Sequence, residues 1–223
     1  MKKERMIRGI VVIIGTLLLG VGIGFLRLGC FGSDHYTSMN AGVSSLLSMP
    51  LGRYQFLENA VLIVIMLFIS KELLGFGTIF NMIFVGYSGD FTIWILKKPL
   101  QAVFGTAEGS ELPIGVRIVF FLIGFLMFCC FIAAYMAADL GIAAYDALGI
   151  ILEKASKEKI PFKIARIIID CIAVVIAVAT GLSQGIQWQI VGIGTICIAC
   201  LAGPLIGASR EWVAKKINEM ANE

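Results

Sequence analysis

Residues Leu74–Ile79 read LGFGTI and residues Val191–Ile196 read VGIGTI, the same Gly-x-Gly-Thr-Ile pattern 117 positions later. Each copy lies inside a strongly apolar stretch, and a further glycine follows each at the same interval, Gly86 and Gly203. Upstream, Leu28–Asp34 (LGCFGSD) pairs with Leu140–Asp146 (LGIAAYD) at a spacing of 112. The chain holds 25 glycines, so one Gly-x-Gly match decides nothing; two different motifs in the same order do. Each half reads as an apolar helix, L-G-x4-D, a short helix, an apolar helix, and a final G-x-G-T-I-x6-G helix. This is an internal duplication. It divides the chain into a first membrane repeat (1–96), a connecting loop (97–112), a second membrane repeat (113–209) and a basic tail (210–223).

The composition names the solvent. Of 223 residues, 59% are hydrophobic and 15% charged, with a mean hydropathy of +0.94. Soluble domains carry about 25% charged residues, and a chain of this length cannot bury such an excess of apolar surface in one core. Six segments approach the length needed to cross about 30 Å of hydrocarbon: Ile7–Leu26, Gln55–Ser70, Leu73–Leu96, Pro113–Ala138, Phe162–Leu182 and Trp188–Ala208. Two shorter stretches, Asp34–Met49 and Leu140–Ala155, contain Ser, Thr, Asn, Gly and Asp. Their length suits re-entrant or half-spanning helices, which lipid tolerates only when protein shields them. The expected fold is therefore an all-α polytopic membrane protein with six transmembrane helices and two short re-entrant helices.

The basic start followed by Ile10–Leu26 resembles a signal peptide. That run is longer than a signal core and no A-x-A site follows it, so it reads as a retained first helix. Lys and Arg gather on the cytoplasmic side. With six crossings both termini are cytoplasmic and the majority of basic residues lie inside; with eight crossings the charge split is cleaner still. Segment length and polarity favour six, which makes the two halves an inverted repeat, since three crossings per half is an odd number. The expected location is the bacterial cytoplasmic membrane. KASKEKIPFK (Lys154–Lys163) and Arg210–Lys216 read as anchors for anionic lipid headgroups, not for nucleic acid.

The motifs Leu28–Asp34, Gly77-Thr78-Ile79-Phe80-Asn81 with Gly86 and Asp90, Leu140–Asp146, and Gly194-Thr195-Ile196 with Gly203-Pro204 resemble those of the YitT/YczE-type bacterial integral membrane proteins. The likeness covers about Arg8 to Ser209. Many YitT-type members carry a soluble C-terminal domain that has no counterpart after Glu223, so the chain is more similar to the YczE-type branch. That branch often has Pro-Trp before the first Asp, where this chain has Gly32-Ser33. The resemblance implies a fold and a membrane location rather than a substrate.

The candidate substrate- or ion-binding residues follow from the motifs. Asp34 and Asp146 are ionisable groups at membrane depth, costly unless paired or hydrated and apt to mark an ion pathway. At the start of a short helix each can also cap free backbone N–H groups. Gly29 and Gly141 belong to the same turns, and His35, the sole histidine, stands beside Asp34. Gly77, Thr78, Gly194 and Thr195 either shape a path or let helices approach closely. Asn81 hydrogen-bonds across helices or lines a pore. Inverted repeats with broken helices recur in secondary transporters, so a transporter or channel for a small solute, coupled to protons or cations, is expected. The alternatives are a non-transporting regulatory membrane partner and a substrate-capture subunit of a multi-subunit importer. The six cysteines (Cys30, Cys129, Cys130, Cys171, Cys197 and Cys200) suggest no secreted disulfide framework. Cys197-x-x-Cys200 lacks the second pair that a tetrahedral metal site needs. No nucleophile–base pair, P-loop or haem motif is present, so neither an enzyme nor a cofactor is expected. The expected partners are the bilayer, a small solute or ion, and a second copy meeting through small-residue helix faces.

Overall fold

The structure is a computed structural model that describes residues 2–185 and 191–222. The start of the sixth apolar segment, 188–190, lies outside the described residues. Among the described residues eight α-helices follow in order: α1 (Lys2–Gly29), α2 (His35–Leu46), α3 (Leu51–Ile69), α4 (Phe76–Phe104), α5 (Ile114–Ala137), α6 (Ala144–Ala155), α7 (Phe162–Gln184) and α8 (Ile193–Asn222). Among the described residues there is no strand. Helices α1, α3, α4, α5 and α8 are long and apolar enough to cross a membrane. Helix α7 is 23 residues long and carries Lys163, Arg166 and Asp170. Helices α2 and α6 have 12 residues each, about 18 Å at 1.5 Å per residue. Large apolar side chains point outward along α3 and α4, among them Phe56, Phe68, Tyr87 and Trp94. Water would expel such a surface; lipid accepts it. This is the make-up of a membrane protein.

The helix ends have local causes. Prolines stand at the N-caps of α3, α5 and α7 (Pro50, Pro113, Pro161), where a fixed φ and a missing N–H are harmless. Helix α4 passes Pro99 and runs through Lys97 and Lys98 to Phe104, ending on Gly105 with φ +74°. The connection between the halves is therefore Gly105–Pro113, shorter than the loop 97–112 expected, because a left-handed glycine rather than the two lysines stops the helix. The expected tail at 210–223 continues α8 as far as Asn222. It is anchored by Ile217, which is buried with Val12, Ala137 and Ala138.

The chain forms two compact units: Met1–Phe31, Gly75–Gly141 and Ala208–Glu223 in the first, Gly32–Leu74 and Ile142–Gly207 in the second. Each takes segments from before and after the Gly105–Pro113 connection. In the first unit α1 packs against α5 on one side and α4 on the other through glycines. A Cβ on Gly22 would lie 2.8 Å from the Met127 Cβ, and one on Gly24 would lie 2.7 Å from the Thr92 Cβ. Small residues let helix backbones approach in this way where no hydrophobic effect drives them together.

The turns around the two motif pairs share backbone geometry, the first pair in a register three residues off the L-G-x4-D alignment. Gly75 N–H donates to Thr78 Oγ1 at 3.2 Å, and Gly192 N–H donates to Thr195 Oγ1 at 3.2 Å. Cys30 and Gly32 have φ of +52° and +104°; Asp139 and Gly141 have +54° and +104°. The Gly-x-Gly-Thr turn of one half meets the turn of the other. Gly77 N–H donates to Leu140 O at 2.7 Å in the first unit, and Thr195 Oγ1 donates to Ser33 O at 2.6 Å in the second. A Cβ on Gly32 would collide with Thr195 Oγ1, and one on Gly141 with the Gly75 backbone. Both the positive φ and the close approach demand glycine.

Candidate functional site: a buried ionic network

The second unit encloses a set of charged and hydrogen-bonding side chains drawn from four helices. Arg166 on α7 is its centre. Arg166 Nη1 donates to Asp146 Oδ1 on α6 at 2.6 Å, and Arg166 Nε donates to Asp170 Oδ2 one turn further along α7 at 3.0 Å. The Tyr145 hydroxyl donates to Asp170 Oδ1 at 3.0 Å. His35 Nε2, from α2, lies 2.9 Å from the same oxygen. The guanidinium carbon of Arg166 sits 5.4 Å from the centroid of the Tyr145 ring, a cation–π contact that strengthens where water is excluded. Arg166, Asp170 and His35 are almost wholly inaccessible.

The network continues through an aromatic pair. The Tyr36 and Tyr145 rings are 4.7 Å apart. The Tyr36 hydroxyl donates to Glu58 Oε2 at 2.7 Å and accepts from Asn59 Nδ2 at 2.8 Å, both on α3. Each tyrosine thus bonds to the long helix that follows its own short helix.

Arg166 supplies one positive charge to two carboxylates. One negative charge is left over, facing the His35 imidazole. Buried charges of this kind are costly unless every group is paired. Here Asp170 accepts from Arg166 and Tyr145 while His35 approaches it, so the arrangement is held from α2, α6 and α7 together.

The expected site residues fall into two places. Asp34, His35, Asp146, Gly194 and Thr195 lie in the second unit; Gly29, Gly77, Thr78, Asn81 and Gly141 lie in the first. Asp34 is the N-cap of α2, its side chain accepting from Thr37 N–H at 3.0 Å. Asp146 is not its counterpart: the N-cap of α6 is Ala143, and Asp146 sits in the first turn and pairs with Arg166. The left-handed residues set the register, since Gly32 and Gly141 align Tyr36 with Tyr145, three positions away from the alignment of the two aspartates. Thr195 clamps Ser33, next to Asp34. Gly29 packs on α5, where a Cβ would lie 3.2 Å from Phe121 N. The Gly141, Gly77 and Thr78 turn holds α4 to the residues before α6 through Leu140. Asn81 is buried in α4, its Nδ2 without a hydrogen-bond partner.

Arg166, Asp170, Tyr145, Tyr36 and Glu58 carry much of the network and were not singled out by the motifs. Read in isolation, Arg166 counts only among the basic residues on the cytoplasmic side and Asp170 as a structural polar group. The available signal was the spacing Arg166-x3-Asp170 on one face of an apolar helix.

Among known proteins, a model of DUF6198, a family of unknown function, matches residues 6–211. An uncharacterized protein of Haemophilus influenzae is 23% identical over 196 residues, which is 88% of this chain and 80% of that one. No solved structure matches. Since the match takes in all eight helices, though not the last turns of α8, the chain belongs to the DUF6198 family.

Proposed function

We propose that this membrane protein is a secondary transporter or channel for a small solute, with the Asp146–Arg166–Asp170–His35 network as the place where a proton or other cation couples. The observation that carries the reading is the network itself. An Asp-Arg-Asp cluster inside a helical membrane protein is expensive, and the usual reason for keeping one is an ion pathway or relay. An energetically neutral alternative, apolar side chains of similar volume, is available to a purely structural core.

The architecture belongs to the same reading. Two halves with matching turns, each turn holding the other half's turn, are what a duplicated and interleaved chain produces. Six crossings with the short helices α2 and α6 inside make it an inverted repeat, a plan recurrent among secondary transporters. The location proposed is the bacterial cytoplasmic membrane, as the resemblance to YitT/YczE-type proteins implies, with both termini inside, where the majority of the basic residues then lie. The role is not enzymatic.

The test is a ligand screen by thermal unfolding of the purified protein in detergent, comparing wild type with His35→Gln and Asp146→Asn. A bound solute raises apparent stability as ln(1 + [L]/Kd). The expected result is a solute or cation that stabilises wild type and does so more weakly in the variants, followed by uptake of that solute into proteoliposomes. If no metabolite, ion or pH shifts wild type, the transport reading fails and a regulatory membrane partner takes its place.

A further inference from the structure

Helices α7 and α8 cross in close antiparallel contact, and the register of that crossing is fixed by glycines. A Cβ on Gly207 would lie 2.5 Å from Lys163 Cγ; one on Gly203 would lie 2.7 Å from the Lys163 carbonyl and 3.0 Å from Ile167 Cγ1. One turn onward along α7 from Ile167, and one turn back along α8 from Gly203, stand Cys171 and Cys200. Antiparallel register places these two opposite each other, close enough for the two thiols to interact. Both are free and both are exposed at the surface of the molecule.

We propose that Cys171 and Cys200 form a dithiol site that closes to a reversible disulfide, tying α7 to α8. A disulfide needs Cα atoms within about 7 Å and side chains pointing at each other. The glycine-lined approach argues for the first condition, and the register that sets the two thiols opposite each other argues for the second. Cys129 is buried on α5 in the other unit, and Cys197 precedes Cys200 by one turn of the same helix. A bridge between Cys197 and Cys200 would have to distort α8.

The position of the pair selects the oxidant. Cys171 lies midway along α7 and Cys200 two turns into α8, both exposed on apolar stretches, so a lipid-soluble quinone reaches them and a charged peptide disulfide does not. In the step, the two thiols give up two protons and two electrons, an S–S bond forms, and the quinone leaves as the hydroquinone. A membrane-permeant dithiol reverses it by exchange. Cys171 follows Asp170 directly, so the bridge fastens the residue next to the ionic network onto α8. The proposal stands apart from transport and does not depend on it.

The experiment uses the full chain in lipid nanodiscs, treated with tetramethylbenzoquinone, whose ring positions are blocked against thiol addition. Peptide mass mapping then follows alkylation of the remaining thiols with N-ethylmaleimide. Expected are loss of two hydrogen masses, a Cys171–Cys200 linked peptide, and loss of alkylation at both. The link should persist in Cys197→Ser and vanish in Cys171→Ser and Cys200→Ser, and oxidised glutathione should produce little of it. Full alkylation of both cysteines after quinone treatment would overturn the proposal, as would a bridge from Cys197 or between two chains. A folding defect in a serine variant does not blur the result, because wild type alone distinguishes the linked from the unlinked outcome.

Discussion

Asp34 and Arg166 show how differently two buried charges can be held. Asp34 needs only to cap α2, and asparagine caps about as well as aspartate. Asp34→Asn should therefore leave the melting temperature nearly unchanged, while Asp34→Ala should cost about 1 kcal/mol of stability; denaturant titration in detergent separates the two. If Asp34→Asn also abolishes a ligand response that wild type shows, its charge serves binding and its hydrogen bond serves the fold. Arg166 is a different case. Arg166→Met would leave Asp146 and Asp170 facing each other without their shared cation, and breaking a buried pair in this way costs roughly 3–5 kcal/mol. A loss well under 1 kcal/mol would mean the carboxylates are not held as charges by Arg166.

The turns that join the helices have their own energetics. Gly141 has φ +104° and a Cβ there would run into the Gly75 backbone; Gly86 lies inside α4 with open space around its Cβ position. Alanine should thus act in opposite directions at the two glycines. Gly141→Ala should destabilise by at least about 1 kcal/mol through strain and collision, and Gly86→Ala should be neutral or stabilising by up to about 1 kcal/mol. The paired melting temperatures check both. On the exposed side of the second unit, the Lys154 ammonium hydrogen-bonds Glu72 and holds its carboxyl below the usual glutamate range. A lowered folded-state pKa means that the stabilisation is present above the ordinary glutamate value and disappears as pH falls through the folded one. The melting-temperature difference between wild type and Glu72→Gln should be small at pH 7, since the pair is solvated. It should shrink in strong salt and close on acidification. A difference that grows at low pH would contradict the pairing.

At the scale of the whole molecule, topology is the open variable, and the short connection decides it. Six crossings put Gly105–Pro113 outside the cell and eight put it inside, while both keep the termini in the cytoplasm. A cysteine at Ala107, introduced into a Cys30→Ser background, should react with a membrane-impermeant maleimide in intact cells if α2 and α6 do not cross. Protection until the cells are opened would favour eight crossings. Twelve-residue helices, about 18 Å long, cannot span 30 Å of hydrocarbon alone, which is why labelling is expected.

Much of this protein is set by the chain read in order. Its apolar excess assigns a bilayer as solvent, and the lengths of its runs separate long helices from short ones. The doubled Gly-x-Gly-Thr marks the two turns against which Gly32 and Gly141, the glycines the backbone requires, are packed. These features are local or periodic, and a period of 3.6 residues or a left-handed turn leaves its mark on neighbouring positions. The ionic network leaves no such mark. His35, Asp146 and Asp170 are far apart in the chain and become partners only when α2 and α6 pack against α7. Arg166 counts as one more basic residue of the cytoplasmic side until that packing removes it from water. An aspartate in a short helix can be a cap or an ion-pair partner, and the chain writes Asp34 and Asp146 alike. Their different roles are decided by which side chain a neighbouring helix brings within hydrogen-bonding distance.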